Sequence, residues 1–381
     1  MKICLVHDDF VQSGGAESLF ATIAELYPDA PIYTSLVNWQ KLPASIGKNR
    51  VRPSFMQKIP FATKLYKLLL PLYPLAFESF DFDGFDLVIS STTRFAKAVI
   101  TKPGTAHICY INSTPRFLYE EEKKSDYLHW TVSILMSPYL KWLKKWDKAS
   151  SARVDLYIAN STNVQAKIKN QYHRDAQVVY PSCDTAFFRP SNQTGIQSDK
   201  KDYYLVVSRL VKWKKIDIAI KALQEIKANL IIIGDGPDKE RLERMATNGK
   251  QKAIRDAKEK TESKITFAVW VTREELRTLY WGAKALIITQ EEDFGISAVE
   301  AQACGAPVIA YGKGGLREII QDKKTGIFFD SQDSSSLKDA IFTSSRLKYN
   351  KLAIRNNALR FAKTNFEEKL KETVSQYVKP A

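Results

Sequence analysis

The chain reads as an α/β protein with two doubly wound parallel sheets, each in its own domain, and three observations predict this. Its 381 residues are 44% hydrophobic, enough for two cores of ordinary domain size. Short apolar runs alternate with longer helical patterns along both halves, as strands joined by crossover helices require. Runs such as LIIIG and ALIIT are apolar on both faces, which suits a parallel sheet covered by helices on either side.

In the first half, strands are expected at Lys2–His7, Pro31–Thr34, Leu87–Ser90, His107–Ile111 and Leu156–Ala159. In the second they fall at Tyr203–Ser208, Leu230–Ile233, Ile265–Val269, Ala285–Thr289, Pro307–Ala310 and Gly326–Phe329. Residues 190–202, PSNQTGIQSDKKD, are polar and aperiodic and read as a linker. This sets a first domain at 1–189 and a second at 203–360. Residues 239–264 form a charged helical stretch, whose part from about Asn248 to Ser263 reads as an insertion with a solvated surface. Residues 361–381 read as one or two amphipathic helices, expected to cross back to the first domain.

The formal net charge of +15 asks for an anionic partner: nucleic acid, a membrane surface or a phosphorylated small molecule. The basic residues are spread along the chain without any nucleic-acid signature, so nucleic acid is set aside. The opening MKICLVHDDF lacks the apolar run and cleavage site of a signal peptide, and no run of eighteen apolar residues appears. Cys4, Cys109, Cys183 and Cys304 lie far apart, as reduced buried thiols of a cytoplasmic protein would. Neither they nor His7, His107, His129 and His173 have metal-ligand spacing, so no metal cofactor is expected.

Ligands of open α/β sheets gather at the carboxyl ends of the strands, and the motifs of this chain fall there. Gly14-Gly15-Ala16-Glu17 follows the first strand and opens a helix, where paired glycines admit a ligand and free N–H groups face an anion. On its own the pair reads as a tight turn, and it is not the G-x-G-x-x-G of dinucleotide enzymes. Arg209 and Lys214, in SRLVKWKKID, follow the first strand of the second domain. They read equally as a diphosphate clamp, a directional fork beside a point charge, or as a solvated basic loop. Gly234-Asp235-Gly236-Pro237 reads as a turn beside a nucleotide pocket.

The segment from Glu292 to Glu300, EDFGISAVE, followed by AQACGAPVIAYGKGG, decides between these readings. A strand ends, a glycine turn follows and a helix begins near Ser297. The N–H groups of Gly295, Ile296 and Ser297 can then hold phosphate oxygens. Glu300, placed on the first turn of that helix, can accept hydrogen bonds from a vicinal diol such as ribose. Glu292 stands at the rim, where sugar hydroxyls would come. A helix with acidic residues satisfying its dipole accounts for Glu300, but not for Glu292, the Phe-Gly turn and the Gly-Ala-Pro-Val strand entry together.

At these residues the chain resembles the family four retaining glycosyltransferases of the GT-B fold, two Rossmann-like domains facing a cleft. The resemblance covers nearly the whole chain. It rests on GGAE, the ANS of Ala159–Ser161, VVYPSCD of Val178–Asp184, VSRL followed by Lys214, GDGP, and the E-x7-E element with its CGAPVIAYGKGG continuation. It implies that Arg209 and Lys214 neutralise the donor's diphosphate, Glu300 holds the ribose, Glu292 orients the donor sugar, and Gly15 approaches the diphosphate from the first domain. It also implies transfer with retained anomeric configuration, no obligatory metal, and the departing phosphate taking the acceptor proton. There are two departures. Asn112, in Tyr110-Ile111-Asn112-Ser113-Thr114-Pro115-Arg116, stands where relatives often have the histidine of His-Thr-Pro; with Arg116 it is left a role in positioning acceptor or sugar. The other is AVWV at Ala268–Val271, where relatives often have a glycine, which bears on recognition of the base.

The E-E-D-F-G form resembles mannosyltransferases of surface-polysaccharide assembly, which makes GDP-mannose the leading donor and UDP-glucose the next. Arg52–Phe80, with Lys58, Lys64 and Lys67, and Ser137–Lys148, with Trp142, Trp146, Lys141, Lys144 and Lys145, interleave basic and apolar residues. These stretches suit an anionic membrane surface and a lipid-linked saccharide acceptor, or equally helices packed within the first domain with snorkelling lysines. Two other functions fit the same features: a nucleotide-sugar epimerase of this fold, and a non-catalytic nucleotide-sugar-binding protein. An epimerase needs an acid–base pair, which an amide at position 112 cannot join.

Overall fold

The computed structural model describes residues 1–120, 136–191, 202–256 and 264–378. The expected linker lies, apart from its ends, outside the described residues, as does the 248–263 stretch beyond Asp256. The chain divides into two compact units, Met1–Ser182 with Thr364–Ala381, and Cys183–Lys363.

In the first unit β1 (Ile3–His7), β2 (Ile32–Thr34), β3 (Val51–Pro53), β4 (Leu87–Thr92), β5 (Ala106–Ile111), β6 (Leu156–Ala159) and β7 (Ala176–Val178) form one parallel sheet, ordered β3-β2-β1-β4-β5-β6-β7. Period-two alternation sends neighbouring side chains to opposite faces. Leu5 of β1 packs with Phe20, Ile23, Phe366 and Leu370, from helices Gly15–Leu26 and Lys363–Tyr377. Cys4 and Val6 pack on the other face with Met56, Tyr73, Phe77 and Leu143. Both faces are thereby dry, which is why the strands read as continuous apolar runs. The four cysteines are buried free thiols.

In the second unit β8 (Tyr203–Val207), β9 (Asn229–Ile233), β10 (Ile265–Ala268), β11 (Leu286–Ile288), β12 (Val308–Tyr311) and β13 (Gly326–Phe329) are also parallel, ordered β10-β9-β8-β11-β12-β13. Val206, Ile232, Ile287 and Ile309 close one core with Ile220 of helix Ile216–Glu225 and Leu337 of helix Ser334–Arg346. Each of the eleven expected strands is present within two residues of its expected ends. β3 and β7 escaped the sequence reading because each is a three-residue strand at a sheet edge, too short to show a period.

Residues Cys183–Ser191, assigned by sequence to the end of the first domain and the start of the linker, cluster with the second unit. Arg355 donates to the carbonyls of Thr185 (3.3 Å) and Phe188 (3.2 Å), and the Trp281 indole donates to that of Arg189 (2.7 Å). Arg273 and Arg277 each lie 4.4 Å from the centre of the Phe187 ring. In both sheets the order reverses beside the unit's first strand, between β1 and β4 and between β8 and β11. Such switch points open a crevice at the strands' carboxyl ends.

Candidate functional site

The loops after β8 and β11, which flank the switch point of the second sheet, carry Arg209, Lys214 and Glu292. After β8 the chain passes through Ser208–Val211 into the turn Lys212–Lys214 and then helix Ile216–Glu225. Leu210 and Val211 are buried and anchor this loop, leaving Arg209 exposed. The loop after β9 supports it from the side: the Leu210 amide donates to the Asp235 carbonyl (2.9 Å) and the Asp238 amide to the Leu210 carbonyl (3.0 Å). A Cβ at Gly234 would collide with the Ser208 carbonyl oxygen. Gly234 is therefore what lets the two loops close on each other, and so shapes the loop that presents Arg209.

The Lys214 ammonium forms an ion pair with the Glu292 carboxylate, the two side chains being only 12% and 16% exposed. These residues lie 78 positions apart and meet only in the fold. Gln290 donates its side-chain amide to the same carboxylate oxygen of Glu292. The Thr289 hydroxyl donates to the Lys214 carbonyl (2.7 Å), and Lys214 sits 4.3 Å from the centre of the Trp213 ring. The loop after β12 grips the Glu292 backbone, its Gly315 amide donating to the Glu292 carbonyl (2.8 Å). This is the structural content of the GKGG that follows VIAY.

Helix Ile296–Ala303 starts at once beyond Glu292. Gly295 caps it at φ 108°, a left-handed conformation that glycine adopts without strain. The Ala298 amide bonds the Gly295 carbonyl (2.9 Å) as the first helical bond, so the amides of Ile296 and Ser297 lie ahead of it at the positive end of the helix. Gly295, Ile296 and Ser297 are all partly exposed. Because the glycine cap starts the helix at Ile296, Glu300 is its fifth residue and lies in the second turn, not the first as expected. The Tyr280 hydroxyl donates to Glu300 at 3.0 Å. Burial pushes the Glu300 carboxyl up to about 7, the Tyr280 bond offsetting only part of this. When ionised it accepts hydrogen bonds from hydroxyls, and when protonated it donates one.

Sequence reasoning missed Gln290, Thr289 and Tyr280. The first two directly follow a buried strand, a position that could have flagged them. Tyr280 lies on helix Arg273–Gly282, twenty residues before Glu300, with no local signal.

At the switch point of the first unit Gly14 caps helix Gly15–Leu26 and Gly15 is its first residue. Glu17 is buried there, and burial, with Asp9 adding to it, pushes its carboxyl up to about 7. Asp8 accepts from the amides of Thr93 (2.6 Å), Arg94 (2.9 Å), Phe95 (2.9 Å) and Ala96 (2.8 Å) and from the Thr92 hydroxyl (2.8 Å). Burial opposes its charge, but Arg94, His7 and the amides outweigh this and hold its carboxyl below the ordinary range. Asp9 pairs with Arg94. These carboxylates thus organise the loop after β4. At the end of β5 the Asn112 side chain donates to the Ser91 hydroxyl (3.0 Å), the Asn112 backbone carbonyl accepts from the Asn160 side chain (2.8 Å), and Arg116 Nε donates to the Ser113 hydroxyl (3.1 Å). An amide held this way can orient a hydroxyl but cannot carry a proton. Among the described residues, no group of three His, Cys, Asp or Glu side chains is arranged to hold a metal ion.

Residues 189–358 match the family model of glycosyl transferases group 1. Over these residues the chain is similar to the group 1 glycosyl transferases. The match encloses the whole Arg209–Lys214–Glu292–Glu300 constellation. The group 1 unit is accompanied by similarity to D-inositol 3-phosphate glycosyltransferases, 31% identical over 199 residues in Mycolicibacterium smegmatis and 29% over 211 residues in a Nocardioides species. Each alignment takes in 49% of this chain, and the chain spans under half the length of these curated relatives, 44% and 45%. Over its full length the fold is that of GT-B glycosyltransferases. HepE of Anabaena, solved with UDP and glucose, aligns at a TM-score of 0.69 with 22% identity, over 98% of this chain and 99% of that one. WaaG, a glycosyltransferase involved in lipopolysaccharide biosynthesis, aligns at 0.63 with 16% identity over the whole of both chains.

Proposed function

We propose that the protein transfers a hexosyl group from a nucleoside-diphosphate sugar to a hydroxyl of a saccharide or lipid-linked saccharide, with retention at the anomeric carbon. The observation that carries this reading is the Lys214–Glu292 ion pair beside the N-terminus of helix Ile296–Ala303. A diphosphate entering this site exchanges partners with the pair: Lys214 turns from the carboxylate to the phosphate, and Glu292, still held by Gln290, turns to the sugar hydroxyls. Arg209 and the amides of Ile296 and Ser297 complete a cradle for charge that grows on the leaving group. Glu300 receives the ribose diol.

GDP-mannose is the leading donor, supported by the likeness of Glu291-Glu292-Asp293-Phe294-Gly295 to mannosyltransferases of surface-polysaccharide assembly. UDP-glucose is the second reading, favoured by the UDP and glucose in the HepE structure. Thermal shift with each nucleotide sugar, followed by a transfer assay, tests both, since a ligand of the folded state raises apparent stability. Stabilisation by neither donor ends the proposal, and binding without transfer points to the non-catalytic reading.

Glu300→Gln is expected to weaken binding of free nucleoside diphosphate, and Glu292→Gln to lower kcat instead, because only Glu300 meets the ribose. Calorimetric titration of each variant checks this. A larger loss of diphosphate affinity in Glu292→Gln than in Glu300→Gln would refute the assignment.

Transfer is also expected to persist in EDTA. Arg209 and Lys214 supply the positive charge that a divalent ion gives other phosphate-handling sites. Complete loss of activity in EDTA, restored by magnesium or manganese, would contradict this.

A further inference from the structure

The first unit carries a face that the transfer chemistry leaves unused. From Phe55 to Phe77 the sequence holds no Asp or Glu. Five of its large apolar side chains stand out from the surface: Phe55 at 38% exposure, Phe61 at 73%, Leu65 at 42%, Leu68 at 63% and Leu75 at 58%. Isolated exposed apolar residues are ordinary, but a cluster of them is a mark of contact with something else.

Helix Ser137–Ser150 adjoins this segment. Its Leu140 and Leu143 enter the same core as Leu70 and Phe77. Its Tyr139 hydroxyl donates to the Leu70 carbonyl (3.4 Å) and its Trp146 indole to Glu78 (2.8 Å). Between these two anchors Trp142 is directed outward, 49% exposed, its ring 5.4 Å from that of Tyr139 and 6.5 Å from that of Trp146. The helix thus packs by one side and presents Trp142 on the other, with Lys141, Lys145 and Lys148 exposed at helical spacing around it. Lys58 and Lys64 are exposed in the neighbouring segment.

Two carboxylates of this region are already committed. Asp147 is buried in an ion pair with Lys97, and Glu78 is bound by Arg153 (2.7 Å) and Trp146.

We propose that this face docks on an anionic lipid bilayer. Phe61, Leu68 and Trp142 enter the headgroup boundary while the lysines meet the anionic headgroups. A protein partner would be recognised by shape and by directed hydrogen bonds. Here the outward groups are mainly hydrocarbon and ammonium, which a fluid anionic surface satisfies without either. No helix among the described residues is long and apolar enough to cross a membrane, and the contact proposed for this face is with the bilayer surface alone.

Co-sedimentation with vesicles of phosphatidylcholine alone, and of phosphatidylcholine with phosphatidylglycerol, tests this at low and high salt. The protein is expected to pellet with the anionic vesicles only. Salt should release most of it, because the lysine attraction is screened within a Debye length. Lys141→Gln/Lys145→Gln/Lys148→Gln should weaken binding on the order of 100-fold, about fivefold for each lysine. Phe61→Ser/Leu68→Ser/Trp142→Ser should remove the salt-resistant remainder. The lysine variant should keep the parent Tm, and the serine variant should still unfold cooperatively, its Tm lowered only by the ring contacts Trp142 makes with Tyr139 and Trp146. The proposal is overturned by no pelleting under any condition, by equal pelleting of parent and both variants, or by binding to polyglutamate but not to vesicles, which would make the partner an acidic protein. Reversible dimerisation lost in the serine variant, without vesicle binding, would equally overturn it in favour of a second copy of the chain.

Discussion

Replacing Lys214 by alanine is expected to lower the rate of glycosyl transfer by roughly two to three orders of magnitude, the usual cost of removing one charge-stabilising contact from a developing oxyanion. The side chain is 12% exposed, so water does not easily substitute for the lost ammonium. The substitution also strips Glu292 of the ammonium it pairs with, so the carboxylate is misplaced as well as the phosphate. Lys214→Arg keeps the charge but trades a point charge for a planar fork, and should recover part of the rate. Arg209→Ala should cost less, because Arg209 is exposed and solvent can take up some of its role. Steady-state kinetics with a saturating donor, alongside thermal unfolding to show that the fold survives, measures all three. A Lys214→Ala enzyme within threefold of the parent would end the assignment of this lysine to the leaving group.

Lys97→Met is expected to destabilise the protein by about 3–5 kcal/mol, the range for removing one partner of a buried ion pair. Lys97 and Asp147 are both fully buried. Asp147 also accepts hydrogen bonds from the hydroxyls of Tyr119 (2.9 Å) and Tyr172 (2.9 Å). Without the ammonium, the carboxylate stays in an apolar site with those two hydroxyls alone. Lys97→Met/Asp147→Leu should recover part of the loss, because no uncompensated charge remains, though the two tyrosine hydroxyls lose their acceptor. Urea unfolding of the two variants reports the difference. A loss below about 1 kcal/mol in Lys97→Met, the level of an exposed pair, would show that water reaches this site.

Lys97 also shows where a linear reading stops. In Phe95-Ala96-Lys97-Ala98-Val99 it looks like any surface lysine, and its partner lies fifty residues downstream. The alternation of strands and helices, by contrast, was legible because a parallel sheet buried on both faces leaves continuous apolar runs, and all but the two short edge strands were found that way. The Trp142 helix falls between these cases. Its sequence suited both packing and surface contact, and the structure assigns the two roles to opposite sides, with Leu140 and Leu143 inside and Trp142 outside.

By itself, then, the sequence determined the two parallel sheets, the loops at their carboxyl ends, the glycine-capped helix after Glu292 and the residue types offered there. Those features are local, set by side-chain period, by glycine at positive φ and by charge next to a strand end. Only the tertiary structure decided that Lys214 and Glu292 neutralise each other, that Gln290 holds Glu292, that Tyr280 bonds Glu300, and that Asp8 is spent on the amides after β4. Apart from the local Gln290–Glu292 bond, each of these pairs residues from different elements or loops. Which charges meet depends on the order in which the strands lie in the sheet, and strand order leaves no trace in the spacing of residues along the chain.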